Sequence, residues 1–229
     1  MATTTKKTET TVEIRPLDIR RVPIRIIGDT PLLVHNWDDK AKLMMLEAQQ
    51  KATKTKAKEI RRPFQDFINS MYWLSEKPEG ETDEKLERAF IEAVESGNAK
   101  WGFKITAIKQ AANSAAYRLG WVKNQMELRG TYFLKAPYGD LFEIKGSIPE
   151  MREDMVRIGM GSADLRYRAE YKGWYADLIL EYNASANITL EQIMNCIEAG
   201  GFSCGIGEWR PEKDGSFGTF HVARNDEMK

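Results

Sequence analysis

A glycine-rich stretch near the end of the chain places the strongest constraint on its fold. Six glycines lie within residues 200–218, and glycine serves where φ must be positive or where another backbone comes close. Arg210 and Lys213 add positive charge to this stretch, and Trp209 adds a flat apolar face. Backbone N–H groups, cations and an aromatic ring in one loop suit a phosphate-bearing polymer. The alternative interpretation is an ordinary connection in which Gly200 ends the preceding helix.

The length and composition of the chain limit its organisation and its partners. A chain of 229 residues can form one domain with an insertion. We predict a flexible tail over residues 1–19 and a single domain over residues 20–229. Its 34 basic residues equal its 34 acidic residues, so a nucleic acid would have to meet a local basic patch.

The cysteines and the apolar runs indicate the cellular compartment of the protein. Cys196 and Cys204 give neither a disulfide framework nor a metal-ligand spacing, and they fit the reducing cytosol. No apolar run approaches the ~20 residues of a membrane span. The sequence therefore predicts a cytoplasmic protein that is not membrane-bound and has no metal or cofactor.

The order of helical and strand-like patterns predicts the fold class. Residues 20–28 read as a strand, and a helical insertion is expected at about residues 38–100. The later segments are an Ala-rich helix (105–119), a strand pair around Tyr138-Gly139-Asp140, strands at 165–171 and 174–182, a helix (189–199) and a last strand (217–223). This order predicts an α+β fold of the ferredoxin-like or RRM-like type, an antiparallel sheet with a helical insertion and a glycine-rich loop before its last strand.

Three helices are expected inside the insertion. The first covers residues 38–50, where Leu43, Met44 and Leu46 lie among strong helix formers. Pro63 suits the first position of the next helix, and apolar residues follow it at helical spacing as far as Leu74. Residues 84–94 form a third, amphipathic helix pattern.

A basic stretch precedes the helix that begins at Pro63. Residues 51–62 contain six cations and one acid, and such a run would release counterions on binding a nucleic acid. The alternative is a solvated helix face. The candidate phosphate contacts in this stretch are Lys54, Lys56, Lys58, Arg61 and Arg62.

Further basic candidates lie on predicted secondary structure. Arg166 and Arg168 alternate with Leu165 and Tyr167, so period two places both arginines on one face of a strand, where a groove could follow a nucleic-acid backbone. Lys109 flanks the Ala-rich helix and is a further candidate.

Enzymatic signatures are few. His35 and His221 are the only histidines, and the sequence contains no phosphate-binding loop, zinc-protease, nucleophile-elbow or CxxC motif. His35 is a weak candidate for a general acid or base, although a single histidine without a nearby partner is more often structural.

The glycine-rich loop between the last helix and the last strand, residues 200–218, resembles that of the RAMP superfamily, the RNA-recognition-like proteins that build CRISPR effector complexes. The early strand at residues 23–28 followed by Thr30-Pro-Leu-Leu-Val-His35, the helical insertion and the Ala-rich helix also look similar. The resemblance implies a backbone-type subunit that polymerises along a guide RNA. It also implies that Gly205, Gly207, Arg210 and Lys213 contact RNA or the neighbouring subunit. Phage proteins of similar character exist without an accompanying CRISPR system.

The expected function is therefore non-enzymatic binding of single-stranded RNA or DNA, with self-association into a ring or filament and with other effector subunits as further partners. Two alternatives remain open. One is a metal-independent ribonuclease that uses His35, and the other is an interaction module that binds or caps another complex. The loop acids Glu208, Glu212 and Asp214 would oppose phosphate unless they face a partner protein.

Overall fold

The computed structural model describes residues 16–36, 61–158 and 162–227. The strands in these ranges are β1 (Ile19–Gly28), β2 (Leu32–Val34), β3 (Tyr72–Trp73), β4 (Trp101–Lys104), β5 (Tyr132–Lys135), β6 (Leu141–Glu143), β7 (Glu150–Ile158), β8 (Ser162–Tyr171), β9 (Tyr175–Asn183) and β10 (Phe220–Val222). The helices are α1 (Pro63–Asn69), α2 (Asp83–Glu95), α3 (Ile105–Arg118), α4 (Met126–Arg129) and α5 (Leu190–Ser203), with a 3-10 turn at Pro211–Lys213.

The main sheet has four antiparallel strands in the order β10-β1-β9-β5. Because β1 and β5 both run antiparallel to β9, they run parallel to each other with β9 between them, and α3 lies between them in the chain. In the same way β9 and β10 run parallel with β1 between them, and α5 connects them. The helices α3 and α5 thus each belong to a split βαβ unit. The predicted α+β fold class is confirmed.

One face of this sheet is buried and the other is open. Along β9, Ala176, Leu178 and Leu180 are buried, while the alternating residues are partly or fully exposed. This period of two follows from the pleat of a strand, and it confirms the strand predicted over residues 174–182. No helix within the described ranges is long and apolar enough to cross a membrane.

The helices α3 and α5 pack closely against each other because their contact contains small residues. In α3 the alanines at 111, 112, 115 and 116 are buried, which confirms the predicted small-residue face. A Cβ added to Gly200 of α5 would lie 2.5 Å from the backbone nitrogen of Ala112. Only a residue without a side chain allows this approach.

Two three-stranded sheets complete the described structure, in the orders β2-β8-β7 and β3-β4-β6. The predicted turn at Tyr138-Gly139-Asp140 is present, with Gly139 at φ 66°. The predicted strand pair around it is wrong, because β5 pairs with β9 and β6 pairs with β4. Local alternation identified both strands, but it carries no information about which strand each one joins. The long strand β7 was not predicted.

The described part of the insertion is built around aromatic rings. Phe64, Phe67 and Phe90 pack edge to face with centroids 5.4–6.0 Å apart. Pro63 begins α1 as predicted, but the helix ends at Asn69, and Tyr72 and Trp73 form β3. The Nε1–H of Trp73 donates to the carbonyl of Ile68 at 2.9 Å. The helix predicted over residues 84–94 is confirmed as α2, capped by Thr82. The helix predicted over residues 38–50 lies outside the described residues.

Candidate nucleic-acid interface

The interpretation of Gly200 as the end of the helix is wrong, because α5 continues to Ser203. The glycine-rich loop therefore begins after residue 203. Gly200 and Gly201 lie inside the helix. A Cβ on Gly201 would collide with the carbonyl group of Phe220 in β10. These two glycines therefore serve helix packing, and the connection proper spans residues 204–219.

Backbone hydrogen bonds hold this loop against the segment that follows β1. The amide of Glu208 donates to the carbonyl of Leu33 at 2.9 Å, and the amide of Gly218 donates to the carbonyl of Pro31 at 2.9 Å. Within the loop, the Ile206 amide donates to the Gly218 carbonyl at 2.9 Å. The loop is therefore an ordered part of the fold, docked beside the end of β2.

Gly205 and Gly207 both have left-handed backbones, with φ of 64° and 81°. A Cβ on Gly207 would lie 2.5 Å from the carbonyl oxygen of Leu33, and one on Gly205 would lie 2.8 Å from Cδ of Pro211. The close approach that glycine permits here is to the chain's own backbone and to a proline. A direct role of these glycines toward RNA stays a prediction.

Arg210 joins two parts of the loop through hydrogen bonds of its guanidinium group. Its Nη1 donates to the carbonyl of Gly207 at 3.0 Å, and its Nε and Nη2 donate to the carboxylate of Glu212 at 3.1 and 2.9 Å. Arg118 of α3 also donates to Glu212, at 2.9 Å. The negative charge of Glu212, which would oppose phosphate, is thus matched by two arginines of the same chain.

Trp209 and Lys213 are the predicted loop residues that face solvent. Lys213 is exposed on the 3-10 turn. Trp209 is 45% exposed and has φ 52°, and its carbonyl accepts from the amide of Phe217 at 3.0 Å. An exposed indole can stack on a base and an exposed cation can contact a phosphate, and this loop carries both.

A cavity of about 240 Å³ brings several predicted residues together. His35, Gly205, Gly207 and Arg210 line it. Arg166 reaches the same place, because its Nη1 lies 3.5 Å from Nε2 of His35. The other polar residues of its lining are Tyr72, Lys104, Gln110, Glu208 and Glu212.

A second polar groove of about 450 Å³ shares Gln110, Arg210 and Glu212 with this cavity. Lys109 lines the groove, but its Nζ donates to the carbonyls of Arg129 and Tyr132 at 2.7 and 2.6 Å. Burial lowers the pKa of Lys109. Lys109 therefore joins α4 to β5, and its part in binding stays a prediction.

The two strand arginines share a face as predicted, but they differ in exposure. Arg168 is only 4% exposed, its Nη1 donates to Asp154 at 2.9 Å, and its buried Nε has no hydrogen-bond partner among the described residues. Arg166 is partly exposed beside Asp164 and His35. Of the two, Arg166 is the one placed to reach a ligand.

Part of the predicted basic stretch lies outside the described residues, namely Lys54, Lys56 and Lys58. Arg61 pairs with Asp66 and Asp164 at 2.9 and 2.8 Å, which ties α1 to β8. Arg62 pairs with Asp83 at 3.0 Å, which ties α1 to α2. These two arginines hold elements together, and contact with a nucleic acid stays a prediction for the whole stretch.

The open face of the main sheet carries cations that sequence reasoning missed. Asp177 lies between Arg25 and Lys145 at 2.7 and 3.1 Å. Hydrogen bonds from Arg25 first, and from Lys145, lower the pKa of Asp177 although burial opposes them. Glu181 lies in the same way between Arg21 and Lys135. Arg21 and Arg25, which lie four residues apart and so on one face of β1, were the available signal. Four cations against two carboxylates leave this group with excess positive charge.

No group of three or more His, Cys, Asp or Glu placed to hold a metal ion lies within the described ranges. Comparison with models of known protein families gives no match, and no curated protein sequence is significantly similar to this chain. The expectation of membership in the RAMP superfamily therefore rests on the sequence features alone.

Proposed function

We propose that this protein is a non-enzymatic subunit that binds single-stranded RNA or DNA in the cytoplasm and self-associates along it, as RAMP-type proteins do. The observation that carries the proposal is the polar cavity at the glycine-rich loop, which Lys104 and Arg210 line together with Glu208 and Glu212. Arg166 adds a further cation next to it, 3.5 Å from the lining residue His35, and the carboxylate of Glu212 is already paired with Arg210 and Arg118. Cations around such a cavity attract phosphates, and exposed Trp209 offers a surface for a base. The order of the main sheet supports a ferredoxin-like fold for this subunit.

The cavity suits a polymer better than a small metabolite. It is continuous in its lining with the neighbouring polar groove through Gln110, Arg210 and Glu212. A run of polar surface along α3 can follow several nucleotides, whereas a single-ligand pocket is closed and mainly apolar. Amide side chains such as Gln110 can bond to sugars and base edges without demanding one sequence.

The test is the salt dependence of binding to labelled single strands, followed by fluorescence anisotropy. A triple variant with Lys104→Gln, Arg166→Gln and Lys213→Gln should weaken binding and flatten the log–log salt slope by about 0.7 per lost contact, hence by about 2. The matched control replaces three exposed cations elsewhere, Arg20, Lys85 and Lys172, and should keep the wild-type slope. Equal slopes for both variants would contradict binding at the cavity and the adjoining glycine-rich loop.

One observation favours a second candidate, a metal-independent ribonuclease. His35 lines the cavity with the Arg166 guanidinium 3.5 Å from its Nε2, and an imidazole beside a guanidinium can move a proton while the arginine stabilises developing charge. RNA incubated with the protein and a chelator separates the candidates. A binder leaves the RNA intact, whereas a nuclease cleaves it and His35→Ala abolishes the cleavage. If no nucleic acid binds at all, the protein-interaction module becomes the better account.

A further inference from the structure

A further cavity, separate from the two described above, lies at the opposite end of α5 from the glycine-rich loop. It is formed by the segment after α3, residues 121–128, and by the start of α5, residues 187–196. Because α5 has 14 residues, its two ends are about 20 Å apart. The cavity volume is about 550 Å³, within the range of about 300–1,000 Å³ that is usual for small-ligand pockets.

The cavity has an apolar floor and an aromatic wall. Leu128 and Cys196 are buried at its base, and Val122 and Ile188 are half-buried beside them. Trp121 lines the cavity while 54% of its surface is exposed. A large ring kept partly in water at the mouth of an apolar pocket offers a stacking surface to a flat ligand.

The rim of the cavity carries amide groups. Asn187 and Asn195 are exposed, and no described residue makes a hydrogen bond to either side-chain amide. Gln192 is held in place because its Oε1 accepts from the amide of Thr189 at 2.9 Å. An amide side chain offers both a donor and an acceptor, which is what the edge of a nucleobase requires.

The charge of the lining narrows the ligand class. Glu127 is the charged residue of the lining, and no cation contributes to it among the described residues. A carboxylate without a nearby cation repels a phosphate group. The lining therefore favours an uncharged flat heterocycle over a nucleotide.

We propose that this cavity binds a single uncharged nucleoside, with its base against Trp121 and its polar edge at the amides of Asn187, Gln192 and Asn195. The site is separate from the cavity at the glycine-rich loop and does not depend on the proposed function.

The test is calorimetric titration of the full-length protein with adenosine, guanosine, cytidine and uridine. At least one nucleoside should give a saturable isotherm that is insensitive to salt, and its 5′-monophosphate should bind more weakly. Trp121→Ala should weaken binding by about 5- to 150-fold, the range for losing one base–aromatic stack. Trp209→Ala, which removes the exposed indole of the glycine-rich loop, should leave the affinity unchanged.

Three outcomes would overturn the proposal. They are the absence of saturable binding by a folded protein with any of the four nucleosides, tighter binding of the 5′-monophosphate, and equal losses in Trp121→Ala and Trp209→Ala. Glu127→Gln gives a further check, because removing the carboxylate should narrow the gap between nucleoside and monophosphate. The triple cation variant should retain nucleoside binding, so failure of this proposal and failure of the proposed function are distinguishable.

Discussion

Gly207 is constrained twice, by a left-handed backbone and by the carbonyl of Leu33 at 2.5 Å from the position of a Cβ. Gly207→Ala should therefore combine the backbone cost of about 1–2 kcal/mol with an overpacking cost of about 1–3 kcal/mol. Gly139→Ala is the matched control, because its φ is 66° but no atom lies within 4 Å of its Cβ. Urea unfolding should show the larger loss at Gly207. Equal losses would mean that the loop moves freely away from β2.

Arg210 is expected to stabilise the fold as well as to line the cavity. Arg210→Ala removes its bonds to Gly207 and Glu212, and hydrogen bonds with charged groups contribute about 1.5–3 kcal/mol. We therefore expect a lower melting temperature, measured by circular dichroism. Lys213→Ala, at an exposed neighbour, should change stability by less than about 0.5 kcal/mol. An unchanged melting temperature with lost nucleic-acid binding would instead assign Arg210 to the ligand.

Among the secondary-structure elements, the contact between α3 and α5 depends on Gly200. Gly200→Ala places a methyl group against the backbone of Ala112, so the helices must separate, and we expect a loss of about 1–3 kcal/mol in the free energy of unfolding. The control is Asn195→Ala, at an exposed position of the same helix, where the change should be small. If both variants unfold alike, the two helices tolerate a wider spacing.

The edge strand β10 is held by a histidine whose charge depends on pH. His221 lies 2.6 Å from Asp29 and 3.3 Å from Glu227. Burial opposes protonation, but the hydrogen bond and charge of Asp29 outweigh it, with help from Glu227, and raise the pKa of His221 above 6.5. A raised pKa stabilises the fold below the unfolded-state pKa, and this contribution is lost as pH rises through the folded-state pKa.

The prediction is a pH-dependent difference between the wild type and His221→Gln. The wild type should be more stable by about 0.2–1 kcal/mol at about pH 5.5, and the difference should fade by about pH 8.5. Glu227 stays charged over this window because the Arg224 amide, and then His221, lower its pKa. Urea unfolding at both pH values measures the effect, and a difference that grows with pH would contradict the assignment.

At the scale of the whole molecule, the proposed self-association should depend on apolar side chains beside the glycine-rich loop. Phe202 is 81% exposed at the last turn of α5, close in sequence to exposed Trp209. Phe202→Glu should reduce the mass of assemblies seen by light scattering with an oligonucleotide present, because a charge opposes burial at an interface. Met126→Glu, at a residue 73% exposed on α4, is the control. A monomer of about 26 kDa in all samples would contradict self-association.

The sequence by itself determined the elements whose burial repeats along the chain. Period two identified β9, small residues identified the packed face of α3, and Pro63 marked the start of α1. These patterns are local, since each residue's preference depends on the face it shares with its near neighbours. The sequence also pointed to His35 and to the loop glycines, which line one cavity in the structure.

Only the tertiary structure decided which of these groups are already engaged within the chain. Arg168 is buried against Asp154, Arg61 bridges α1 and β8, and Gly207 meets the carbonyl of Leu33. Asp154 lies on the neighbouring strand β7, whereas Asp164 and Leu33 come from parts of the chain far from Arg61 and Gly207. The choice depends on strand order and on hairpin register, which a charge pattern does not encode. The sequence shows where the basic side chains are. The fold decides whether each of them pairs with a carboxylate of the same chain or stays available for a phosphate.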